Sequence, residues 1–271
     1  TGARAVGLLR YLPLILWVAF FVFAFGWIVL ASFSTTKEIF SNGLLQSGVH
    51  VENYTGVWER NHVAHYFVNS LITTGIPCVL IILIAAPAAY VLSKKTFFGR
   101  KQTFNAFVVG MSIPQVMLVI PIYCWFVKAN LVGHLSTLVI LYTTLNLPYT
   151  VYFLTAFFST VPTALAEAAM IDGAGVFRKF WNITLPMLQP AFTTSVVLNL
   201  IGGLKLFDII KVLTNGGPGY ATNSISTYIS SMYFDAQNAG YASALGVFLF
   251  ILIAIITYLL NTGLAKLNWE A

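Results

Sequence analysis

The sequence is poor in charge: only 8% of its 271 residues are Asp, Glu, Lys or Arg, whereas 58% are hydrophobic. A soluble domain carries roughly a quarter charged residues, so this composition cannot cover a surface that faces water. The composition therefore predicts a membrane protein. At about 45 residues per span and loop, the chain holds about six spans and leaves no room for a large soluble or catalytic domain.

Cysteine is equally scarce. Cys78 and Cys124 both fall within apolar runs, where a thiol behaves as a small hydrophobe, so we expect neither a disulfide framework nor a redox site. His62 and His65 lie three residues apart without a third ligand in view, and we expect no metal site. Paired carboxylates at catalytic spacing, an elbow serine and a zinc-helix signature are missing as well, so no residue is predicted to be catalytic.

Six apolar runs are long enough to cross a hydrocarbon core about 30 Å thick. The first is long enough to stay as an anchor, because the apolar centre of a cleaved signal peptide is only about 7 to 15 residues. The predicted spans are residues 12–31, 67–93, 104–127, 137–159, 190–211 and 241–264. No internal repeat is visible, so one domain covers 1–271.

The distribution of basic residues predicts the orientation of the spans. The net charge of +6 would suggest nucleic acid as a partner of a soluble protein, but here the Lys and Arg residues cluster between apolar runs, which is the pattern that orients helices in a bilayer. Nine of them fall on one side and five on the other. The count predicts both termini and residues 161–189 in the cytoplasm. The nine are Arg4, Arg10, Lys94, Lys95, Arg100, Lys101, Arg178, Lys179 and Lys266.

Pro and Gly interrupt several spans. Breakers within membrane helices require neighbouring helices or cavity water to satisfy the freed backbone groups, so they are typical of helices around a pathway. The alternative is that membrane helices are simply richer in these residues than soluble ones. The interruptions are Pro77, Pro87, Pro114, Pro121, Pro148 and the pair Gly202–Gly203.

The segment between spans four and five predicts a short cytoplasmic helix. Residues 164–170 are good helix formers, and Gly173 with Gly175 supplies the stop. A second helix from Val176 to Thr184 is predicted to end at Leu185–Pro186. Small residues on one side of the first helix would allow close approach by another protein. That side holds Leu165, Ala168, Ala169 and Asp172.

These residues carry a resemblance. The segment contains the pattern Glu167-Ala168-Ala169, three residues, Gly173, nine residues, Ile183, one residue and Leu185-Pro186. This pattern resembles the EAA loop of permease subunits of bacterial binding-protein-dependent ABC importers. Further stretches resemble the carbohydrate-uptake, maltose-type branch of that family, so the resemblance covers nearly the whole chain. These stretches are 33–40, Asn69-Ser70, 89–93, 214–218 and 240–244.

The resemblance implies an all-α membrane protein of six transmembrane helices with cytoplasmic termini and a coupling helix between spans four and five. It further implies that the coupling helix docks in an ATPase subunit. The chain contains no phosphate-binding glycine loop, so ATP and Mg are expected on two partner ATPase subunits and no cofactor on this chain. A second related permease and an external solute-binding protein complete the implied assembly in the cytoplasmic membrane. The implied coupling residues are Glu167, Ala168, Ala169, Asp172 and Gly173.

Polar residues of spans four and five are candidates for the substrate pathway. Lys205, Asp208 and Lys211 follow at i, i+3 and i+6, which predicts one helical stripe on which Asp208 pairs with a lysine. A charge within the hydrocarbon is costly, so a water-facing pathway is favoured over lipid, the alternative being lysines that snorkel to the outer interface. The resemblance places the sugar site along this part of span five, normally with amides and aromatics. The candidates are Tyr142, Asn146, Tyr149, Asn199, Lys205, Phe207 and Asp208.

Three alternatives remain open. Tyr142, Asn146, Tyr149 and Tyr152 suit a neutral polyhydroxylated ligand, although aromatic stripes on helices also serve packing. Within the family, an importer of glycerol phosphate or of a polyol is the alternative to a sugar importer. Outside it, the alternative is a stand-alone secondary transporter or channel, which needs paired halves that the missing repeat argues against.

Overall fold

We describe the protein from a computed structural model, which covers residues 2–41, 43–59, 63–162, 164, 169 and 173–265. Every regular element in this part of the chain is helical, so the predicted all-α fold class is confirmed. The helices, numbered in chain order, are α1 (Gly2–Ser32), α2 (Thr36–Phe40), α3 (Glu52–Glu59), α4 (Val63–Lys94), α5 (Arg100–Ser112), α6 (Gln115–Lys128), α7 (Leu135–Thr160), α8 (Val176–Lys179), α9 (Leu185–Leu204), α10 (Asp208–Leu213), α11 (Ile225–Ser230) and α12 (Ala239–Ala265).

Five of these helices are individually long and apolar enough to cross a membrane: α1, α4, α7, α9 and α12. A sixth span is formed only if α5 and α6 are taken together, and these two helices meet at an angle of 94°. The predicted span over 104–127 is therefore bent at Pro114, one of the predicted interruptions. Pro114 lacks an amide hydrogen and forces Ile113 into an extended conformation (φ −78°, ψ 123°), which ends α5 and starts α6 in a new direction.

The predicted span over 190–211 is broken as well. α9 ends at Leu204, Leu206 and Phe207 are not helical, and α10 begins at Asp208. The freed carbonyl groups find new donors: Ser226 Oγ donates to Leu204 O at 3.2 Å and Ser224 Oγ donates to Leu206 O at 3.2 Å. This break in a predicted span is stable because hydroxyl side chains replace the lost helical hydrogen bonds.

The helix predicted over 176–184 continues instead of ending at Leu185–Pro186. α8 passes into a π-helical turn at Phe180–Thr184, and α9 follows directly. Pro186 lies in the first turn of α9, directly after the π-helical turn, where the regular α-helical hydrogen-bond pattern is interrupted. Proline is therefore compatible with this junction, and the predicted stop at Leu185–Pro186 is wrong.

The chain forms two compact units. The first comprises Thr1–Ala64 and Tyr228–Ile251. Within it, Asn53 Nδ2 donates to Ser32 O at 2.9 Å and to Ser34 O at 3.1 Å, which ties the segment before α3 to the end of α1. Phe25 of α1 and Phe250 of α12 pack with ring centroids 4.5 Å apart.

The second unit comprises His65–Thr227 and Leu252–Ala271. Its core consists of two apolar clusters. One joins α4, α6, α7 and α10 around Ile81, Leu138 and Ile210, which are at most 1% exposed. The other joins α4, α7 and α9 around Ala85, Leu154 and Leu188. α4 and α7 contribute to both clusters and hold the polar side chains described next.

Candidate functional site

The predicted coupling segment is described only in part. Glu167, Ala168 and Asp172 lie outside the described residues, whereas Ala169 and Gly173 lie within them. Gly173 has φ +79° and the amide of Ala174 donates to Ala169 O at 2.8 Å. This is the hydrogen bond by which a helix ends with a left-handed residue, a conformation that glycine adopts without steric cost.

A buried hydrogen-bond network joins α7 to α9. Tyr142 Oη donates to Asn199 O at 2.7 Å, and both side chains are at most 5% exposed. Asn199 Nδ2 donates to Ser195 O at 2.9 Å and to Thr150 Oγ1 at 3.3 Å. The structure thus brings together two of the predicted pathway residues, Tyr142 and Asn199. Their hydrogen-bond donors, however, are occupied by bonds that join α7 to α9.

The network depends on the glycine pair in α9. A Cβ at Gly202 would lie 2.8 Å from Tyr142 Oη, closer than real Cβ atoms approach. A Cβ at Gly203 would lie 2.6 Å from Cγ2 of Thr74 in α4. The missing side chains therefore let α9 approach both of its neighbours, which is how small residues act in membrane helix packing.

A cavity of about 470 Å³ lies beside the bend between α5 and α6 and along α7. The bend itself provides Gly110 and Ile113, and the polar side chains of the lining are Gln115, Thr144, Asn146 and Tyr149. None of its lining residues is charged. Cavities of this size with few polar groups are typical of small-molecule sites.

The polar groups of this cavity have unused hydrogen-bonding capacity. Asn146 Nδ2 donates to Tyr142 O at 2.9 Å and Gln115 Nε2 donates to Leu145 O at 3.4 Å. These bonds leave the oxygen atoms of both amides available as acceptors. The Tyr149 ring stacks on Phe153 with centroids 6.0 Å apart and is 43% exposed. Amides and an aromatic face are the groups that bind neutral hydroxylated ligands.

Gln115 was not among the sequence candidates. The signal that could have identified it is its position: an amide directly after a proline that breaks an apolar run. Tyr152, by contrast, stacks on Phe104 with centroids 5.9 Å apart and does not line this cavity.

The charged stripe predicted for span five is retained only in part, because Asp208 and Lys211 share α10 whereas Lys205 lies outside it. Because the helix is interrupted between Leu204 and Asp208, Lys205 and Asp208 do not occupy successive turns of one helix. Both side chains are exposed, and no ion pair joins these two described residues. Phe207 is half-buried in the non-helical connection. These three residues do not line the cavity beside α7.

Stretches that are distant in sequence but share the family resemblance meet in pairs. In the second unit, Asn69 Nδ2 donates to Ala221 O and to Asn223 O, each at 3.0 Å, and so holds the loop that follows 214–218. In the first unit, a Cβ at Gly240 would lie 2.3 Å from Ser34 O, so glycine is required where 240–244 passes 33–40.

Known proteins resemble this chain over most of its length. The diacetylchitobiose uptake system permease protein NgcG of Streptomyces coelicolor is 29% identical over 246 residues, which are 90% of this chain and 82% of that protein. The probable starch degradation products transport system permease protein AmyC of Thermoanaerobacterium thermosulfurigenes is 29% identical over 247 residues, 91% of this chain and 87% of that protein.

A chain of a bacterial ABC transporter involved in the import of the acidic polysaccharide alginate has a similar fold, with a TM-score of 0.79, 18% identity and 97% of each chain covered. The sequence pattern of binding-protein-dependent transport system inner membrane components matches residues 79–267. The match spans more than half of the chain and includes the cavity, the glycine pair and the predicted coupling segment. The chain therefore belongs to the family of binding-protein-dependent transport system inner membrane components.

Proposed function

We propose that this chain is the permease subunit of an ATP-driven importer that takes up a sugar or oligosaccharide delivered by an external binding protein. The observation that carries the proposal is the uncharged cavity lined by Asn146, Gln115 and Tyr149 in a chain of this family. A neutral hydroxylated ligand needs amide and aromatic groups rather than counter-charges. The names of the relatives, which concern diacetylchitobiose and starch products, support the same class of substrate.

The proposed pathway runs along α7 beside the bend of α5 and α6. Tyr149 and Asn146 contact the ligand, whereas Tyr142 and Asn199 fix the spacing of α7 and α9 behind them. Lys205, Phe207 and Asp208 form part of the wall at the end of α9. The bend is suited to a pathway because backbone groups that leave the helical pattern must face protein or cavity water.

The energy is proposed to come from partner subunits. Glu167, Ala168, Ala169, Asp172 and Gly173 form the coupling helix, which docks in one of two ATPase subunits that bind ATP and Mg. Closure of the ATPase pair moves the coupling helices as rigid levers and shifts the spans between inward-open and outward-open packings.

A second, related permease is the proposed partner within the membrane. Only 6% of the most apolar stretch of α1, within Tyr11–Ser32, is buried. Trp17, Phe20 and Phe23 are all more than 60% exposed. A helix whose surface is apolar on all sides and mostly exposed is available for packing against another helical subunit.

The proposal is tested by purifying the chain with its co-purifying subunits, reconstituting the complex with the external binding protein, and measuring ATP hydrolysis over a panel of ligands. We expect stimulation by a neutral sugar and none by glycerol phosphate. Asn146→Leu and Tyr149→Ala should lower sugar uptake at least tenfold, because each removes a proposed ligand contact worth on the order of 1.5 kcal/mol. Stimulation by glycerol phosphate alone, or uptake by this chain without an ATPase, would contradict the proposal.

A further inference from the structure

A second cavity, of about 360 Å³, lies between the end of α4, the start of α5 and the side of α7. Unlike the cavity beside the bend, it is basic. Its lining combines two cations and a hydroxyl with an apolar floor and consists of Leu92, Arg100, Lys101, Phe104 and Thr155. Lys94 and Lys95 precede it at the end of α4, so four cations lie within eight residues of sequence.

Arg100 is held in place by the end of α4. Its Nε donates to Leu92 O at 2.7 Å and its Nη2 donates to Ser93 O at 3.1 Å. These bonds satisfy carbonyl groups that the helix end leaves open. A guanidinium group has five N–H donors, so three remain for a ligand in the cavity.

The positive charge at this cavity is not neutralised by the described part of the chain. The sequence contains no Asp or Glu between Glu59 and Glu167. Neither Arg100 nor Lys101 takes part in an ion pair with a described carboxylate. Lys95 and Lys101 are exposed, and Lys94 Nζ donates to Val161 O at 2.5 Å. An anion is therefore the complementary ligand.

Two aromatic side chains sit beside the cations. The connection between α4 and α5 contains Phe97, which is 41% exposed, and Phe98, which is fully exposed. Because α4 is a candidate span that ends at Lys94, we expect this connection at the level of the lipid headgroups. Exposed phenyl rings flanked by lysines are suited to insertion between lipid tails while the cations remain at the headgroups.

We propose that this cavity binds the phosphate group of an anionic phospholipid. Arg100 and Lys101 bind the phosphate, and Thr155 lies at its edge. Lys95, exposed in the adjoining connection, adds positive charge, while Phe97, Phe98 and the floor formed by Leu92 and Phe104 contact the start of the acyl chains. Basic pockets between membrane helices are suited to such headgroups. The lipid would join α4, α5 and α7 at one membrane surface. This inference does not depend on the identity of the transported substrate.

The test uses the whole chain, purified in a nonionic detergent and titrated with phosphatidylglycerol or phosphatidylcholine, with bound lipid counted by native mass spectrometry. We expect selective retention of phosphatidylglycerol. Arg100 is left unchanged because it stabilises the end of α4. The double substitution Lys95→Gln/Lys101→Gln should weaken phosphatidylglycerol binding about 30-fold, on the basis of a factor of about five for each basic residue near an anionic surface.

The matched control is Lys37→Gln/Lys128→Gln, which removes the same charge from two exposed lysines outside this cavity. We expect less than a twofold change for the control. Phe98→Ser should weaken binding of the lipid but not of glycerol 3-phosphate, which separates a lipid site from a site for a soluble phosphate.

Three results would overturn the proposal: equal phosphatidylglycerol binding by both double variants, competition by millimolar inorganic phosphate as effective as that by the lipid, or protection of Lys95 and Lys101 from acylation by ATPase subunits but not by lipid. The last result would assign this surface to a protein contact.

Discussion

At the level of single residues, hydrogen bonding separates polar groups that build the fold from those available to a ligand. Tyr142 and Asn199 are buried and bonded to each other's helices. Tyr149 and Gln115 lie at the cavity. The sequence places all four in apolar runs, but it cannot show which of them face the neighbouring helix, because that depends on the rotation of α7 about its axis.

Gly203 provides a direct test of close helix packing. A Cβ at this position would lie 2.6 Å from Thr74 Cγ2 and 2.8 Å from Thr74 Oγ1, and the Thr74 side chain is only 1% exposed. Gly203→Ala should therefore push α9 away from α4 and destabilise the protein by about 1–3 kcal/mol. We expect a fall of several degrees in the midpoint of thermal unfolding in detergent.

Gly75→Ala is the matched control for Gly203→Ala. Gly75 also lies within a membrane helix, but a Cβ there meets no atom within 4 Å. Alanine has the higher helix propensity, so this variant should be at least as stable as the unmodified protein. Equal unfolding midpoints for Gly203→Ala and Gly75→Ala would show that the contact between α9 and Thr74 is not close.

Glu38, in the short helix α2 that follows α1, predicts a pH dependence. Its carboxylate accepts hydrogen bonds from the Ser47 hydroxyl at 2.6 Å and from the Thr35 amide at 2.9 Å, and a further bond from the Ser47 amide. These bonds, that of the Ser47 hydroxyl most strongly, lower the pKa of Glu38 from 4.5 to about 2. Because the pKa of the folded state is the lower one, the stabilisation is complete above about pH 4.5 and is lost as the pH falls through about 2.

The measurement compares the unmodified protein with Glu38→Gln. The difference between their unfolding midpoints should be constant from pH 7 to pH 5, shrink below about pH 4.5 and vanish near pH 2. Infrared difference spectra of the two proteins should place the loss of the carboxylate band near pH 2. A band that titrates near pH 4.5 would contradict the hydrogen bonds described for the loop.

At the level of helices, local sequence predicts where a break occurs but not what it does to the neighbouring residues. Pro114 and the pair Gly202–Gly203 are visible as breakers. The size of the angle between α5 and α6, 94°, is not visible in the sequence. The non-helical Leu206–Phe207 is not visible either, because it depends on hydroxyl donors from the distant residues Ser224 and Ser226. The predicted continuation of the stripe from Asp208 and Lys211 back to Lys205 was wrong for this reason.

The predicted coupling helix makes a separate prediction at the same scale. Gly173 has φ +79°, a conformation in which a β-branched residue is strained by on the order of 1–2 kcal/mol. Gly173→Val should therefore disrupt the end of the helix. We expect loss of uptake in cells with unchanged insertion and yield of the protein, since the proposed role of this segment is to contact an ATPase subunit.

Gly175→Val is the matched control, because Gly175 lies two residues further along, has no positive φ, and a Cβ there meets no atom within 4 Å. Uptake with this variant should remain close to that of the unmodified protein. Normal uptake with Gly173→Val would remove the proposed role of the helix end. Equal loss with both variants would attribute the effect to added bulk rather than to the backbone conformation.

At the scale of the whole molecule, the all-α membrane fold and the family followed from composition and motif, whereas the packing did not. The apolar composition is a property of the whole chain, and the pattern that begins at Glu167 extends to Pro186. A misplaced helix boundary therefore changes neither the predicted fold class nor the family. The separation into two units depends on pairings such as Asn69 with the loop at 221–223 and Gly240 with Ser34. The two members of each pair are far apart in the sequence. In the sequence alone, only the resemblance of both members to one family connects them.

The orientation in the membrane is the remaining prediction at this scale. Nine Lys and Arg residues against five place the segment around Gly173 in the cytoplasm and Lys128 outside, since positive residues are retained on the cytoplasmic side. Cys78 is buried, so replacing the exposed Cys124 by alanine gives a suitable background for labelling. In this background, Gly175→Cys should react with a membrane-impermeant maleimide only in inside-out vesicles, and Lys128→Cys only in right-side-out vesicles.

The two labelling sites are controls for each other, because both positions are exposed. In each type of vesicle, one of the two cysteines should react and the other should not. A reversed pattern would place the predicted coupling helix outside the cell, away from any source of ATP. Since the chain has no nucleotide-binding loop of its own, the proposed energy transfer requires this segment to be cytoplasmic. Reversed labelling would therefore contradict the coupling mechanism, while the fold and the packing of α4, α7 and α9 would be unaffected.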